Sequence, residues 1–271
     1  MNKKLLVGAI GVVLVLIVGF VFLFSMPANY KSSIKTNTHT LNVFKSDSEI
    51  ARIVVFNDLH LFYDYTPEDL DKVVTAINGA DPDIVVFNGD LIDNASYQQD
   101  KKVNAVIVAK LKELKPLYGK FAILGDQDLK NEDSQNILTA SDFEILTNRT
   151  RNIRINNKLF NIIGLINNGK QETALKNASD KLYNIAFMHD PRLVDSLLNY
   201  KIDIMVTAHT LGGQYNLPLY GSIFSDLKEI PYYKGYQKVN GIGIYNSNGL
   251  GIYQSSMRLN APSTIELFIL K

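Results

Sequence analysis

The chain of 271 residues contains no cysteine. This excludes both a disulfide framework and a lipid-modified cysteine, but it does not argue against export, because a domain of this size can bury a sufficient core without disulfides. The sequence also lacks a large excess of positive or of negative residues, since it has 28 lysines and arginines and 27 aspartates and glutamates. The balance predicts neither a basic nucleic-acid surface nor a disordered acidic tail. The sequence has no internal repeat.

One long apolar run is present, near the start. Behind the N-terminal lysines, every residue from Leu5 to Phe24 is apolar or glycine, and about 20 such residues span a bilayer as a helix. The lysines favour a cytoplasmic N-terminus. We therefore predict a cytoplasmic segment at 1–4, an uncleaved transmembrane anchor at 5–24, and an extracytoplasmic remainder at the cell membrane. The alternative is a cleaved signal peptide, whose apolar region is normally only about 7–15 residues long.

The composition changes after the apolar run. Residues 25–50 are polar with little periodicity, which predicts a stalk. Residues 51–271 have the length of one sizeable domain, in which short β-branched runs alternate with amphipathic stretches. This alternation predicts an α/β domain with a mixed sheet or two stacked sheets. The predicted strands are 53–56, 84–87, 121–124, 184–188, 202–206, short strands within 241–253, and 264–270, and the predicted helices are 67–78, 101–114 and 191–198.

Aspartates follow three of the predicted strands. Asp58 comes after the first strand, and Asp90 and Asp126 follow the next two, each behind a glycine that permits a sharp turn. Alternation along an extended chain places Asp58 and His60 on one side, where they can share a cation. Each aspartate alone is equally consistent with a turn or a helix cap.

The histidines strengthen the case. The chain has four, and His60, His189 and His209 each follow a predicted strand. A single histidine at a strand end is usually structural, but three that alternate with three aspartates are hard to attribute to chance. His39 lies in the predicted stalk and receives no role. Ligands gather at the carboxyl edge of α/β sheets, so the pattern indicates a two-metal hydrolase.

These residues belong to motifs that resemble a known family. The motifs are Asp58-Leu59-His60, Gly89-Asp90, Gly125-Asp126-Gln127-Asp128, His189, and Ala208-His209-Thr210-Leu211-Gly212-Gly213-Gln214, with Arg258-Leu259-Asn260-Ala261-Pro262 further on. The chain resembles the calcineurin-like metallophosphoesterases, specifically a membrane-associated bacterial branch whose last motif is Gly-His-Thr-His-Gly-Gly-Gln. The resemblance implies a four-layer α/β/β/α sandwich with two metal ions at the sheet edge.

The same resemblance implies a ligand set for those ions: Asp58 and His60 for the first, Asp126, His189 and His209 for the second, and Asp90 bridging both. The ions polarise the phosphoryl group and activate water for in-line attack. Manganese, iron, zinc and magnesium all suit such ligands.

Two departures from the family pattern bear on activity. Gln127 replaces a histidine that helps protonate the leaving group or stabilises the transition state. Glutamine cannot supply a proton at neutral pH, and general acid catalysis contributes about 10²–10⁴-fold. Leu211 replaces a ligand of the first metal. Asp126, in place of asparagine, keeps an oxygen ligand. The candidate catalytic residues are therefore Asp90, Gln127 and His209.

The leading interpretation is a membrane-anchored, metal-dependent phosphoesterase with a weakened site, acting on a phosphorylated small molecule or a lipid-linked substrate. No nucleic-acid partner is expected. The alternative is a pseudoenzyme that keeps the fold and binds a phosphorylated ligand or partner. A protein phosphatase would use the same metals, but the predicted extracytoplasmic placement argues against it.

Overall fold

A computed structural model of the chain describes residues 8–17, 19, 31, 33–176, 178–179, 181–217, 219–224, 227, 229–253 and 258–271. Its strands are, in chain order, β1 Lys35–Leu41, β2 Ala51–Phe56, β3 Ile84–Asn88, β4 Gly119–Ile123, β5 Phe143–Ile145, β6 Arg149–Ile155, β7 Lys158–Leu165, β8 Tyr183–Met188, β9 Ile204–Thr207, β10 Asn216–Leu217, β11 Gly221–Ser222, β12 Gly235–Val239, β13 Ile242–Asn246 and β14 Thr264–Leu270. The α-helices after β1 are α1 Leu70–Gly79, α2 Lys101–Lys112, α3 Glu132–Ala140, α4 Glu172–Leu175 and α5 Val194–Leu197.

Two six-stranded sheets form the centre of the domain. The first has the strand order β1-β14-β2-β3-β4-β5 and the second β12-β13-β9-β8-β7-β6. Strands β2 to β5 are mutually parallel, as are β7, β8, β9 and β13. In each sheet the parallel strands therefore end at a common edge.

Alternation along the second sheet shows how the layers are stacked. Ile162 and Phe187 belong to the core shared with the first sheet and helices α1 to α3. Their neighbours Ile163 and Met188 lie in a second core with α4 and α5. Since successive side chains of a strand face opposite ways, one face of the second sheet packs on the first sheet and the other on short helices. This is the predicted α/β/β/α sandwich.

Most of the predicted elements are present. The predictions at 53–56, 84–87, 184–188 and 264–270 fall within β2, β3, β8 and β14. The predicted first helix consists of a 3-10 turn at Pro67–Asp69 followed by α1. The sequence analysis did not predict helix α3 or the β6–β7 hairpin. Strand β6 carries mainly charged and polar residues at an exposed sheet edge, whereas β7 is a buried and largely apolar run that was missed.

The predicted stalk at 25–50 is wrong for part of its length. Residues Lys35–Leu41 form β1, which pairs in parallel with β14. An edge strand is held by backbone hydrogen bonds and needs no apolar face, so β1 has exposed polar residues along most of its length. His39 consequently lies in the sheet, with its Nε2 atom 2.8 Å from Glu266 Oε2.

Of the predicted anchor at 5–24, the structure describes residues 8–17 and 19, and the rest lies outside the described residues. Residues 8–17 are helical. Among the described residues, no helix has both the length and the apolar character needed to cross a membrane.

Candidate metal centre

The two sheets meet where their parallel strands end. Asn88, the last residue of β3, donates from Nδ2 to the carbonyl oxygens of Met188 and Val206 in the second sheet, at 3.1 and 3.2 Å. Its own carbonyl oxygen lies 2.8 Å from His189 Nδ1. Asn88 therefore joins the carboxyl edges of both sheets and orients a histidine between them.

Asp58 and His60 lie beyond the end of β2 and not within it. The loop that carries them lies alongside the segment that comes after β3. Asp58 N donates to Gly89 O at 2.8 Å, and His60 N donates to Asp90 O at 3.2 Å. The prediction that strand alternation brings these two side chains together was therefore wrong about the cause. A loop with a left-handed φ at both residues does so instead.

Two overlapping groups of ligand-type side chains result. One contains Asp58, His60 and Asp90, and the other contains Asp90, His189 and His209. His60 Nε2 lies 3.8 Å from both Asp58 Oδ1 and Asp90 Oδ2. His189 Nε2 lies 3.1 Å from Asp90 Oδ2. Asp90 is thus common to both groups, the position expected of a bridging ligand.

The donor atoms in this cluster fit a divalent cation. Asp58 Oδ1 is buried without a hydrogen-bond partner, and His189 Nε2 lies 3.7 Å from it. An unpaired buried carboxylate oxygen is costly unless a cation or donor satisfies it. Carboxylates and imidazoles together suit manganese, iron and zinc. The residues present therefore match a metal site, with Asp58, His60, Asp90, His189 and His209 as its candidate ligands.

The backbone around the cluster is strained. Asp58, His60, Asp90 and His209 all have φ between 45° and 70°, a region that non-glycine residues seldom adopt. Strained residues of this kind concentrate at functional sites. Gly89, at φ 95°, also permits close approach, because a Cβ atom there would lie 2.3 Å from His189 Nδ1.

Charges in the metal-free cluster stabilise one another. Burial by itself lowers the pKa of His189, but Asp90 and Asp58 outweigh burial and hold it well above the usual value. Burial by itself raises the pKa of Asp90, yet His189 and His60 hold it far below normal. Burial and the nearby His189 lower the pKa of His209, which favours the neutral imidazole that a metal requires.

Asp126 lies at the rim of the cluster. Its side chain is 43% exposed, and its Oδ2 atom is 3.9 Å from His209 Nδ1. It belongs to neither compact group of ligand-type side chains, so its role as a ligand remains a prediction.

Gln127 and Leu211 occupy the positions where the family motif has histidine. The backbone N–H of Gln127 donates to Asp90 Oδ1 at 2.9 Å, and its side-chain oxygen accepts from Asn94 N at 3.1 Å. The side-chain NH₂ of Gln127 remains a donor without an acid function. Leu211 is buried and offers no ligand atom.

Several residues that support the site were missed from the sequence. Asp128 is fully buried and accepts from the backbone N–H groups of Asp90, Leu91 and Gly125, which fixes the bridging loop. Arg192 is held by Asp190 and places Nη2 3.5 Å from His209 Nε2. An aspartate three residues after glycine, or an arginine after proline, is too common to indicate such roles.

Arg258 belongs to one of the motifs that resemble the family, but the sequence gives it no role. Its guanidinium donates to the carbonyl oxygens of Gly251, Asn248 and Ala261, at 2.5 to 3.1 Å. The same loop lies against Asp58, because Gly251 N donates to Asp58 O at 2.6 Å. Arg258 therefore secures one wall of the metal centre.

A four-layer sandwich with an Asp/His cluster between the edges of its sheets defines a metal-dependent hydrolase class. The sequence profile of the calcineurin-like phosphoesterases matches residues 51–213, more than half of the chain. The chain belongs to the calcineurin-like phosphoesterase family. Members of this family use divalent metal ions, and the cluster described above is where this chain could bind them.

Similar proteins cover most of the chain. The uncharacterized metallophosphoesterase YkuE of Bacillus subtilis is 29% identical over 248 residues, which are 88% of this chain and 86% of that protein. The uncharacterized metallophosphoesterase YkoQ of the same organism is 26% identical over 209 residues, covering 71% and 75% of the two chains. Phosphodiesterase YaeI of Escherichia coli is 24% identical over 219 residues, covering 77% and 78%.

Proposed function

We propose that the chain is a membrane-anchored, metal-dependent phosphoesterase that hydrolyses a phosphoester or a pyrophosphate. The observation that carries the proposal is the convergence of two buried aspartates and three histidines from both sheets, including a buried carboxylate oxygen, Asp58 Oδ1, that has no hydrogen-bond partner. The similarity to a phosphodiesterase makes a phosphodiester the first substrate class to test.

Bound divalent ions would polarise the phosphoryl group and lower the pKa of the attacking water. The chain's own residues prepare this site. Asp90 is oriented by the Gln127 N–H, and His189 by the Asn88 carbonyl. Arg192 is fixed by Asp190 at the mouth of the site, where a planar guanidinium can bind two phosphoryl oxygens at once.

We further propose that the site is weakened, because no proton donor stands at Gln127 and no ligand at Leu211. The surviving groups provide three ligand-type side chains for each ion, with Asp90 shared. Three protein ligands plus water are enough for a catalytic metal. Leaving groups of low pKa, such as aryl oxygens or pyrophosphate, need little protonation and should react best.

Membrane anchoring rests on the apolar run at 5–24, which has the length to span a bilayer. With two preceding lysines, the domain would lie outside the cytoplasm. An anchor would keep the site close to lipid-linked phosphoesters and raise their local concentration.

The alternative function, a pseudoenzyme that binds a phosphorylated ligand, is favoured by the same two substitutions. It is opposed by the retained cluster and by its strained backbone, neither of which a binding scaffold needs. The two functions differ in whether metal binding leads to turnover.

The deciding experiment measures hydrolysis of an aryl phosphodiester by the full-length chain in detergent with Mn²⁺, beside Asp90→Asn. The matched control is Asp71→Asn, which changes an exposed aspartate paired with Lys110. The phosphoesterase function is supported if turnover requires Mn²⁺, persists in Asp71→Asn and is lost in Asp90→Asn. Mn²⁺ binding by calorimetry without turnover, with aryl monoesters also tested, supports the binding protein.

A further inference from the structure

A short hairpin beside the metal centre exposes an unusual amount of apolar surface. Strands β10 and β11 pair in antiparallel fashion, and Leu217, Leu219, Tyr220 and Ile223 are exposed on and around their connection. Leu219 is fully exposed, and Tyr220 is 59% exposed. No other stretch of seven residues in the described part of the domain exposes as many large apolar side chains. Clustered exposed apolar surface marks an interaction site more often than scattered residues do.

Two residues, Gln214 and Tyr253, connect the hairpin to the metal centre. It begins two residues after Gln214, whose side-chain oxygen accepts from Tyr253 N at 3.0 Å. Tyr253 in turn stacks on His60, with ring centroids 5.5 Å apart. Asn216 at the base of the hairpin donates to Leu259 O at 2.9 Å. A surface that engages the hairpin would therefore lie next to the opening of the site.

One positive charge lies on the same surface. The hairpin lines an open groove of about 660 Å³ together with Lys234 and Asn260. Lys234 is exposed, and its Nζ lies 5.2 Å from the Tyr233 ring centroid. The Tyr233 carbonyl accepts from Thr210 Oγ1, which ties this segment to the loop of His209. The groove thus has an apolar wall and a cation, next to the ligands.

We propose that the hairpin at 216–223 contacts a lipid bilayer, with its apolar side chains in the interfacial region and Lys234 among phosphate headgroups. Tyrosine is enriched at the membrane–water interface, apolar side chains such as leucine insert at the boundary between headgroups and acyl chains, and lysine is attracted to anionic lipid. The same chain carries an apolar run of membrane-spanning length at 5–24, so a bilayer is the surface this hairpin would meet.

A protein partner fits the hairpin less well. A stable protein interface takes about 20–30 residues on each side, whereas the exposed apolar surface here is concentrated in four side chains of one projecting turn. Contact with a bilayer would turn the opening of the metal centre toward the headgroup layer. A lipid-linked phosphoester could then reach the site without leaving the membrane.

The test exploits the absence of tryptophan from the sequence. Tyr220→Trp in the full-length chain gives one fluorophore on the hairpin. Tyr118→Trp is the matched control, because Tyr118 is also exposed but directly precedes β4, at the sheet edge opposite the metal centre. Each variant is mixed with phosphatidylcholine and phosphatidylglycerol vesicles, with and without brominated acyl chains.

The expected result is a blue-shifted emission and at least a twofold greater bromolipid quenching for Tyr220→Trp than for Tyr118→Trp. Adding Leu219→Asp to Tyr220→Trp should reduce that quenching. Equal quenching at both positions, or none at either, would overturn the proposal. A blue shift without vesicles that grows with protein concentration would show contact with a second copy and would also overturn it. Fluorescence reports this contact whether or not the protein hydrolyses phosphoesters.

Discussion

His189 Nε2 and Asp90 Oδ2 lie 3.1 Å apart although they come from different sheets. Without metal, this contact is a buried ion pair between an imidazolium and a carboxylate. With metal, both atoms become candidate ligands, and the imidazole must be neutral. The same two side chains therefore share a proton when no metal is bound and would bind a metal ion in its place.

This relationship predicts a pH-dependent stability for the metal-free protein. The pKa of His189 is raised on folding, so its stabilisation is complete below the unfolded pKa of about 6.5 and is lost as pH rises through the folded value. The lowered pKa of Asp90 acts at the other end, where its stabilisation is lost only in strong acid. The melting temperature with chelator should fall as the pH rises above about 6.5 and through the raised pKa of His189, and Mn²⁺ should restore it most at high pH. A flat profile, or the same fall in His189→Gln, would contradict the assignment.

Gln127→His should restore a proton donor at the mouth of the site. The backbone N–H that orients Asp90 does not depend on the side chain, so the metal cluster should survive. We expect kcat to rise by at least about tenfold for an alkyl phosphoester, a fraction of the about 10²–10⁴-fold that general acid catalysis contributes, and less for an aryl ester. Gln127→Asn is the control that adds no acid. Equal gains on both esters would show that the effect is not protonation of the leaving group.

Leu211→His should strengthen the metal site of Asp58 and His60, the one whose expected ligand Leu211 replaces. Leu211 lies two residues beyond His209 and is buried, at the position where the family motif supplies a ligand. We expect Mn²⁺ affinity to rise by at least about tenfold, since even residues outside the ligand set change affinity by about 10–100-fold. Calorimetry should show a second bound ion. Leu211→Met keeps the apolar volume and should leave the affinity unchanged, and a gain in both variants would point to altered packing.

Arg192→Ala should reduce transition-state stabilisation without disturbing the fold. Arg192 is 54% exposed and is held by Asp190 beside His209. Removing its guanidinium should lower kcat/KM on the order of tenfold to a hundredfold, since a lost oxyanion donor costs about 10²–10³ at a fully enclosed site. Arg192→Lys keeps the charge and should recover part of the loss. An unchanged kcat/KM in Arg192→Ala would exclude contact with the phosphoryl group.

Arg258→Met should destabilise the loop that lies on Asp58. The substitution removes the hydrogen bonds to the Gly251, Asn248 and Ala261 carbonyls and leaves those acceptors unpaired. We expect a loss of about 3 kcal/mol in the free energy of unfolding, measured by urea denaturation, together with weaker Mn²⁺ binding. Arg149→Met, at an exposed position of β6, should change neither. Similar effects in both variants would show a general cost of losing an arginine.

Sequence patterns predicted several strands that are buried on both sides, although the buried run of β7 was missed. Ile53 and Val85 lie in strands buried along almost their whole length, and such strands are continuous apolar runs. Strands β1 and β6 are edge strands with exposed polar faces, and their composition is that of a loop. Pairing with β14 decides the position of β1, and local sequence does not contain that information.

The convergence of these Asp and His side chains was predictable because they follow strands that end at one edge. Asp58, Asp90 and His189 are brought together by the topology that the strand order predicts. Asp126 and Arg192 show where this reasoning fails, because their distances from the cluster depend on loop conformations. Asp128 was missed because its partners are backbone N–H groups, which have no sequence signature.

Strand β14 has a consequence for biosynthesis. It lies between β1 and β2, and Asn37 and Glu266, which face each other across β1 and β14, are 229 residues apart in sequence. Until β14 has been made, β1 lacks the partner it has in the finished sheet and one side of β2 is an unpaired edge, which other chains can join. The first sheet therefore cannot be completed before β14 pairs, and the open edge of β2 is exposed to other chains until it does.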